Sequence, residues 1–369
     1  MLVFLKKIII FTLPILLLFA APTFIIFEGR EYFSIKDVVE TQLKHPESIF
    51  GFAYNDISFY TYKELLVAKN NPKVIALGTS RVMQFREQFF TEEAQFINAG
   101  GAGKSLADVE RFINGLSSES GIEVIILGLD KELFMVKSRA SQNEERVLPI
   151  RFVTTVITMS RRIYLDYLSG KLHIQNIIKA NIASNNIGLS ALLLKNGFRS
   201  DGSYQYASAM TDPGRLSYIE AEFKQAVSKI KDDGDKDRAG QMAYLEENSK
   251  IVERALVSAK QKGITVIGIM PPYPTSVYKE MLLNDKLFPL VTASLSDTFK
   301  AHDMPFFDFS SIETFGGRDT EFGDGIHGTD LMHLKMMFKI KESKDVKAYV
   351  NENRLRDLQK EAEKDFLSI

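Results

Sequence analysis

The stretch "KVIALGTSRV", Lys73–Val82, joins a short apolar run to a glycine and a serine. An apolar run of this length that stops at a glycine is typical of a buried β-strand. Ser80 comes three residues after the last residue of this run, where a turn or helix would begin. The stretch therefore predicts a strand over Lys73–Leu77 and, after it, a turn that carries a serine.

Four further segments resemble this strand, and helical patterns lie between them. The other predicted strands are Gln95–Asn98, Glu123–Leu129, Ile264–Met270 and Pro305–Phe309. Apolar residues recur at helical spacing over Leu106–Leu116, Glu246–Lys262 and Thr329–Ile340. Apolar strands that alternate with helices indicate a parallel sheet covered on both faces. We predict an α/β fold, a three-layer sandwich around a five-stranded parallel sheet.

The N-terminus carries a membrane signal. Ile8–Phe27, "IIIFTLPILLLFAAPTFIIF", is an uncharged run of about the twenty residues that a hydrocarbon core requires of one helix. Lys6 and Lys7 precede it, which favours a cytoplasmic N-terminus and places the rest of the chain on the periplasmic or extracellular side. A cleaved signal peptide is the alternative, although its apolar region would be shorter. We predict a single-pass transmembrane anchor within residues 1–30.

The remaining segments give the domain organisation. Residues 31–70 are polar and aromatic without a clear period and predict a tether, whereas residues 71–342 hold the alternating strands and helices. From about 131 to 244 a helical, glycine- and serine-rich insertion interrupts the alternation. It is either a cap that shapes a substrate site or a solvated segment. The charged residues 343–369 predict a surface helix.

The composition excludes several classes of protein. The chain has no cysteine, which removes disulfides, thiolate chemistry and zinc knuckles. Its 46 basic and 47 acidic side chains nearly cancel, and no basic run is interleaved with aromatic residues. Binding to nucleic acid is therefore not expected.

The residues after the predicted strands can carry chemistry, because open parallel sheets bind ligands beyond the carboxyl ends of their strands. Ser80 follows the first strand, and "NAGGAG", with Gly100 and Gly101, follows the second. A serine hydroxyl with nearby backbone N–H groups offers the parts of an acyl-transfer site, since such donors stabilise a tetrahedral oxyanion. The serine also needs a base that is held by a carboxylate.

The segment "DGIHGTDLMHLKMM", Asp324–Met337, holds two histidines, each with an aspartate three residues before it. Asp324 and His327 lie in a glycine-rich loop, where the carboxylate can fold back onto the ring. Asp330 and His333 lie in the predicted helix, and an aspartate at a helix start is explained without catalysis. We predict that the first pair supplies the base and its carboxylate.

A metal site is the alternative reading of these four side chains. Helical zinc pairs favour histidines at i and i+4, whereas these two are six residues apart, and the chain offers no third soft ligand. We therefore expect no metal and no cofactor.

The order and spacing of "GTS" after the first strand, glycines after the second and "DGIH" before the last helix resemble the SGNH (GDSL-type) hydrolase superfamily. The N-terminal anchor narrows the resemblance to its membrane-anchored branch. That branch includes the D-alanine transfer protein of teichoic acid modification and proteins of alginate and other exopolysaccharide O-acetylation. The resemblance covers residues 73–129 and 264–340 and does not extend to the insertion.

The resemblance implies a role for each site residue. Ser80 would be the nucleophile, His327 the base and Asp324 the acid that orients it. The oxyanion donors would be the N–H of Ser80 and one N–H from Gly100 or Gly101.

Two positions depart from the family pattern. Thr79 stands where the first block has an aspartate, and Asp130 stands where the third block usually offers an asparagine. A carboxylate facing an oxyanion would repel it, so either Asp130 turns elsewhere or only backbone donors remain. Arg81 is expected either to meet an anionic or hydroxyl-rich substrate or to lie on the surface.

The activity that the resemblance implies is that of a membrane-anchored serine acyltransferase or esterase. An acetyl or D-alanyl group would pass through an ester on Ser80 to or from an envelope polysaccharide. A transferase would have a polytopic membrane acyltransferase as its partner, whereas a simple envelope esterase would need none. A catalytically inactive component that binds the polysaccharide in a modification complex is the third possibility, and the unusual Asp130 favours it.

Overall fold

The structure is a computed structural model that describes residues 1–117, 119–141, 149–207, 214–233 and 238–365. The chain forms two compact units. The first comprises residues 1–58 and 143–200, and the second comprises residues 59–142 and 201–369. The predicted insertion, at about 131–244, is thus divided between the two units, and parts of it lie outside the described residues.

The helices and strands follow one another along most of the described chain. The α-helices are α1 Leu2–Glu28, α2 Ile35–Lys44, α3 Phe59–Asn70, α4 Leu106–Gly115, α5 Pro149–Leu168, α6 Ile174–Ala183, α7 Leu189–Leu194, α8 Arg215–Asp233, α9 Arg238–Gln261, α10 Thr275–Asn284, α11 Leu287–Ala301, α12 Asp330–Ile340, α13 Lys344–Lys347 and α14 Glu352–Asp365. The strands of the main sheet are β1 Val74–Gly78, β2 Ile97–Gly100, β3 Val124–Gly128, β4 Thr265–Met270 and β5 Phe306–Asp308. Two short strands lie outside that sheet, Asn196–Phe198 and Tyr204–Tyr206.

The second unit is built on a five-stranded sheet in which every strand is parallel to its neighbours, in the order β2-β1-β3-β4-β5. Ala76 in the centre of β1 lies opposite Asn98 of β2 and Ile126 of β3. The chain winds outward from β1 to β2 and then returns to the other side of β1. The carboxyl ends of β1 and β3 therefore mark the reversal of winding, where such sheets bind ligands.

Both faces of the sheet are covered. Successive strand residues point to opposite faces. On one face, Val74 and Ile126 share a buried cluster with Met336 of α12 and Leu358 of α14. On the other face, a Cβ at Gly268 would lie 2.5 Å from the ring of Phe299 in α11. The predicted α/β fold with a five-stranded parallel sheet is therefore confirmed, and it is compatible with a three-layer sandwich.

The predicted strands are confirmed with ends that move by one or two residues. The helix before β4 begins at Arg238 rather than at Glu246. Residues 31–70, predicted as a tether, contain α2 and α3, and α2 starts with a capping box between Ser34 and Asp37. The last four residues of the predicted C-terminal helix, 366–369, lie outside the described part of the chain.

The N-terminal helix α1 is bent and so differs from the single transmembrane span that the sequence predicts. No individual helix in the described ranges is long and apolar enough to cross a membrane alone. Two parts of α1, Phe4–Pro14 and Leu17–Glu28, have the required length and composition only together, and they are bent by 48°. The bend follows Pro14, because proline removes a backbone hydrogen bond and kinks a helix. By itself the bent pair is weak evidence for a membrane span.

Candidate active site

Ser80 lies at the carboxyl end of β1, in the turn that the sequence predicts. Gly78 ends the strand with φ +150°, and a Cβ there would lie 2.9 Å from the carbonyl oxygen of Gly128 in β3. Only glycine allows the two strands to stay this close. Thr79 then begins the short 3-10 helix Ser80–Val82, and its hydroxyl oxygen accepts the Arg81 N–H at 3.2 Å.

Ser80, His327 and Asp324 form one hydrogen-bonded chain. Ser80 Oγ lies 2.7 Å from His327 Nε2, and His327 Nδ1 lies 2.7 Å from Asp324 Oδ2. Because a carboxylate only accepts, the ring proton belongs on Nδ1, which leaves Nε2 to accept from the serine hydroxyl. A histidine in this arrangement can take the serine proton as the serine attacks a carbonyl carbon.

The loop that carries His327 holds the Asp324 carboxylate. Asp324 Oδ1 accepts the N–H of Ile326 at 3.0 Å and that of His327 at 2.7 Å. Burial by itself would raise the pKa of Asp324, but the hydrogen bonds from His327 and the backbone outweigh it and leave the pKa below its ordinary value. Asp324 is therefore charged near neutral pH and fixes the orientation of the imidazole.

The same loop is closed by its own backbone. The Gly323 N–H donates to His327 O at 2.7 Å, and Phe322 pairs with Gly328 in an antiparallel bridge. Glu222 of α8 accepts the N–H of Gly325. These contacts explain how a glycine-rich segment presents His327 in a fixed position.

Asp330 and His333 do not form a second pair of this kind. His333 is buried, with Nδ1 2.8 Å from Thr329 O and Nε2 2.9 Å from Arg81 O. Asp330 pairs instead with Arg86 Nη1 at 3.3 Å. The two histidines thus point to different partners. Across the described ranges, no group of three or more His, Cys, Asp or Glu residues is placed to hold a metal ion.

Arg81 and Asp130 form a buried ion pair beside Ser80. Arg81 Nη1 lies 3.0 Å from Asp130 Oδ1, and the Thr79 hydroxyl donates to the other carboxylate oxygen. The Arg81 guanidinium lies 4.2 Å from the centre of the Tyr273 ring. Burial raises the pKa of Asp130, and the Arg81 charge opposes that shift.

These contacts answer two expectations from the sequence. Arg81 is only 7% exposed, so it does not lie on the surface, and its guanidinium is paired with Asp130. Asp130 is 3% exposed and turns toward Arg81, which is the first of the two possibilities that its position left open. Its charge is therefore compensated within the protein. Tyr273, which packs on Arg81, is buried as well.

The predicted oxyanion donors after β2 are engaged within the protein. The Gly100 N–H donates to Asn98 Oδ1 at 2.7 Å, and the Gly101 N–H donates to Gly78 O at 2.9 Å. This conformation therefore offers neither N–H to an oxyanion. The N–H of Ser80 is different from these two. It is the first N–H of the 3-10 helix Ser80–Val82, and the first donors of a helix have no acceptor within that helix.

Sequence reasoning missed several side chains around His327. The Tyr206 ring centre lies 6.2 Å from that of His327, and Tyr204 packs against Tyr206 at 4.6 Å. Tyr218 on α8 is exposed and donates to Glu222. All four lie in the predicted insertion, for which the sequence left the choice between a substrate cap and a solvated segment open, and "YQY" at 204–206 was the local signal.

Comparisons with known proteins do not assign the chain to a family. No model of a known protein family matches the chain, and no curated protein is similar to it in sequence.

Proposed function

We propose that this chain is a membrane-anchored serine acyltransferase or esterase of the SGNH type. It would act on acetyl or D-alanyl esters of an envelope or extracellular polysaccharide through an acyl-serine intermediate. The observation that carries the proposal is the hydrogen-bonded chain from Ser80 through His327 to Asp324. Its position at the winding reversal of a parallel sheet also suits a three-layer SGNH fold.

Ser80, His327 and Asp324 each have a role in the proposed reaction. Ser80 Oγ attacks the acyl carbon while His327 Nε2 takes the hydroxyl proton. The tetrahedral intermediate collapses, the bond to the leaving oxygen breaks, and His327 returns the proton to that oxygen. A sugar hydroxyl or water then gives its proton to His327 and attacks the acyl-serine, and Ser80 leaves with that proton. Asp324 stabilises the imidazolium in both half-reactions.

The oxyanion of the tetrahedral intermediate has few hydrogen-bond donors in this site. The Ser80 N–H is one, and a shift that releases the Gly101 N–H from Gly78 O would supply a second. Such a donor contributes about 10²- to 10³-fold to the rate of acyl transfer. The proposed enzyme therefore needs a small movement of the turn after β2 when substrate binds.

The surroundings of His327 suit a polyhydroxylated substrate. Tyr206 and Tyr218 offer aromatic faces and hydroxyl groups, and Glu222 offers a carboxylate that accepts hydrogen bonds. Sugars present both apolar ring faces and hydroxyl donors, so this mixture of groups fits them. The acceptor or donor glycan would lie across these side chains.

The first part of α1 supports attachment to a membrane. Several of its apolar side chains are exposed, and Phe11, for example, is 73% exposed. Large exposed apolar surfaces mark contacts with membranes or partners. In a transferase, this anchor would keep the chain close to a polytopic membrane acyltransferase that supplies the acyl group. The site would then face the periplasm or the cell exterior.

A catalytically inactive polysaccharide-binding component is the second candidate. The internal hydrogen bonds of the Gly100 and Gly101 N–H groups favour it, because a hole without these donors stabilises an oxyanion poorly. A simple esterase differs from the transferase only in using water as the second nucleophile.

A fluorophosphonate probe tests the proposal, because it forms a covalent bond with an activated serine. We expect labelling of the wild type, loss of labelling in Ser80→Ala, and unchanged labelling in Ser169→Ala as a matched serine control. Equal labelling of the wild type and Ser80→Ala would contradict acyl chemistry at this site and favour the inactive component. Incubation of an acetyl ester with and without an oligosaccharide then separates transfer from hydrolysis.

A further inference from the structure

The first unit exposes an apolar stripe on α5. Ile157, Tyr164, Leu165 and Leu168 stand at i, i+7, i+8 and i+11 and so share one side of the helix. Leu165 is 56% exposed and Leu168 is 78% exposed. Arg161, at i+4, lies on the same side. A helix normally turns such a stripe toward a core, and this one faces outward.

The stripe continues the surface of α1. The Tyr164 hydroxyl donates to Leu18 O in α1. Ile25 of α1 shares a buried cluster with Met159 and Ile163, which lie on the opposite side of α5 from the stripe. The second part of α1 therefore has one side packed against the unit, and its outer side carries exposed aromatic rings such as Phe27. The two helices present their apolar residues together.

The thickness of the hydrocarbon core determines how deep this surface would lie in a bilayer. A hydrocarbon core about 30 Å thick requires about 20 helical residues at about 1.5 Å each. The part Phe4–Pro14 is too short to cross alone, so a crossing must use residues of Leu17–Glu28 as well. Leu18 then lies within the bilayer, and Tyr164, which is hydrogen-bonded to it, lies at the same depth.

We propose that the exposed stripe of α5 contacts lipid and that the first unit is docked in the membrane rather than held above it by a tether. Leu165 and Leu168 would enter the acyl region, and Arg161 would extend to the headgroups, as long basic side chains do at interfaces. This inference rests on the membrane attachment proposed above but not on the acyl chemistry.

The absence of cysteine allows single-cysteine labelling of the full chain. A polarity-sensitive fluorophore is attached to Leu168→Cys, and the protein is reconstituted in vesicles of phosphatidylethanolamine and phosphatidylglycerol. Lipids with a spin label on the acyl chain quench only fluorophores that lie in the bilayer. Phe11→Cys in α1 is the positive control. Leu283→Cys is the matched negative control, because Leu283 lies on α10 of the second unit and is 77% exposed.

We expect lipid quenching at Leu168→Cys comparable with that at Phe11→Cys and several times that at Leu283→Cys. Leu165→Cys should behave in the same way, which guards against a defect of one variant. Quenching at Phe11→Cys but not at either α5 position would overturn the docking of α5 and leave the anchor intact. Absence of quenching at all positions would overturn the membrane attachment itself. Neither result depends on whether Ser80 is labelled by the phosphonate.

Discussion

The segment from Asp324 to His333 contains the same Asp-x-x-His spacing twice, once in a loop and once in a helix. In the loop, the carboxylate of Asp324 reaches the ring of His327 at 2.7 Å. In α12, Asp330 pairs with Arg86, and the ring of His333 reaches backbone carbonyl oxygens. The loop can curl until an aspartate meets the third residue after it. The helix instead directs each side chain to its nearest packing partner.

Spacing alone therefore does not make a catalytic pair. His327 has a carboxylate on one ring nitrogen and a hydroxyl on the other, so its free lone pair faces a group that can lose a proton. Both ring nitrogens of His333 face carbonyl oxygens, which only accept. His333 is therefore suited to hold the turn after Ser80 through Arg81 O, and not to act as a base.

Replacing each histidine by glutamine gives the largest expected contrast. We expect His327→Gln to lower kcat for ester cleavage by about 10⁴-fold or more, as loss of a general base does in serine hydrolases. His333→Gln keeps an N–H that can reach Arg81 O, so its kcat should stay within about tenfold of the wild type. Ester hydrolysis kinetics measure both, with Ser80→Ala as the inactive reference. Equal losses in the two variants would remove the distinction between the pairs.

The aspartates should differ in a similar way. Asp324→Asn keeps the size of the side chain but cannot stabilise an imidazolium or enforce the Nδ1–H tautomer. We expect kcat to fall by about 10³- to 10⁴-fold. Asp330→Asn should leave kcat nearly unchanged. An Asp324→Asn variant with full activity would show that the loop carboxylate serves only to close the loop.

The sequence predicted those parts of the fold that depend on local patterns. Each strand of the sheet is a short apolar run with a glycine or proline nearby, and the rule for parallel sheets then locates the binding edge. Ser80 and His327 are 247 residues apart in sequence, yet both follow from this rule because each lies at that edge. The orientation of Asp324 followed from the flexibility of its loop.

Other features depend on side-chain directions that a sequence does not reveal. The N–H groups of Gly100 and Gly101 are occupied because Asn98 turns its Oδ1 back and because Gly78 O lies alongside. Arg81 is buried because Asp130, which follows a different strand, points at it. The aromatic residues around His327 likewise reach it through contacts between segments that are distant in sequence.

The pair in α12 should reveal its structural role in stability measurements. Asp330 is buried and pairs with Arg86, so Asp330→Ala leaves a buried guanidinium without this partner. Breaking a buried ion pair costs about 3 kcal/mol or more, which urea denaturation detects as a lower midpoint. The control is the double variant Asp330→Leu with Arg86→Met, which should recover much of the loss. A neutral Asp330→Ala would mean that the pair contributes nothing to folding.

The pH dependence of folding stability should show the smallest difference between the two pairs. Burial lowers the pKa of His333, while its backbone hydrogen bonds and Asp330 oppose that shift and Arg81 adds to it. The unfolded chain therefore binds a proton near pH 6.5 that the folded chain does not. Stability due to neutral His333 is complete above that pH and falls as the pH is lowered toward the folded pKa, by at most about 1.4 kcal/mol per pH unit.

The loop pair should respond in a separate pH range. Because the pKa of Asp324 lies below its ordinary value of 3.8, its contribution is present above that pH and is lost only as the pH falls through the lower folded pKa. Thermal unfolding between pH 7 and pH 5 should therefore show a slope that His333→Gln reduces and Asp324→Asn leaves unchanged. A slope that Asp324→Asn changes in this range would mean that the loop pair also contributes to the pH dependence of stability, and His333 would then not account for it alone.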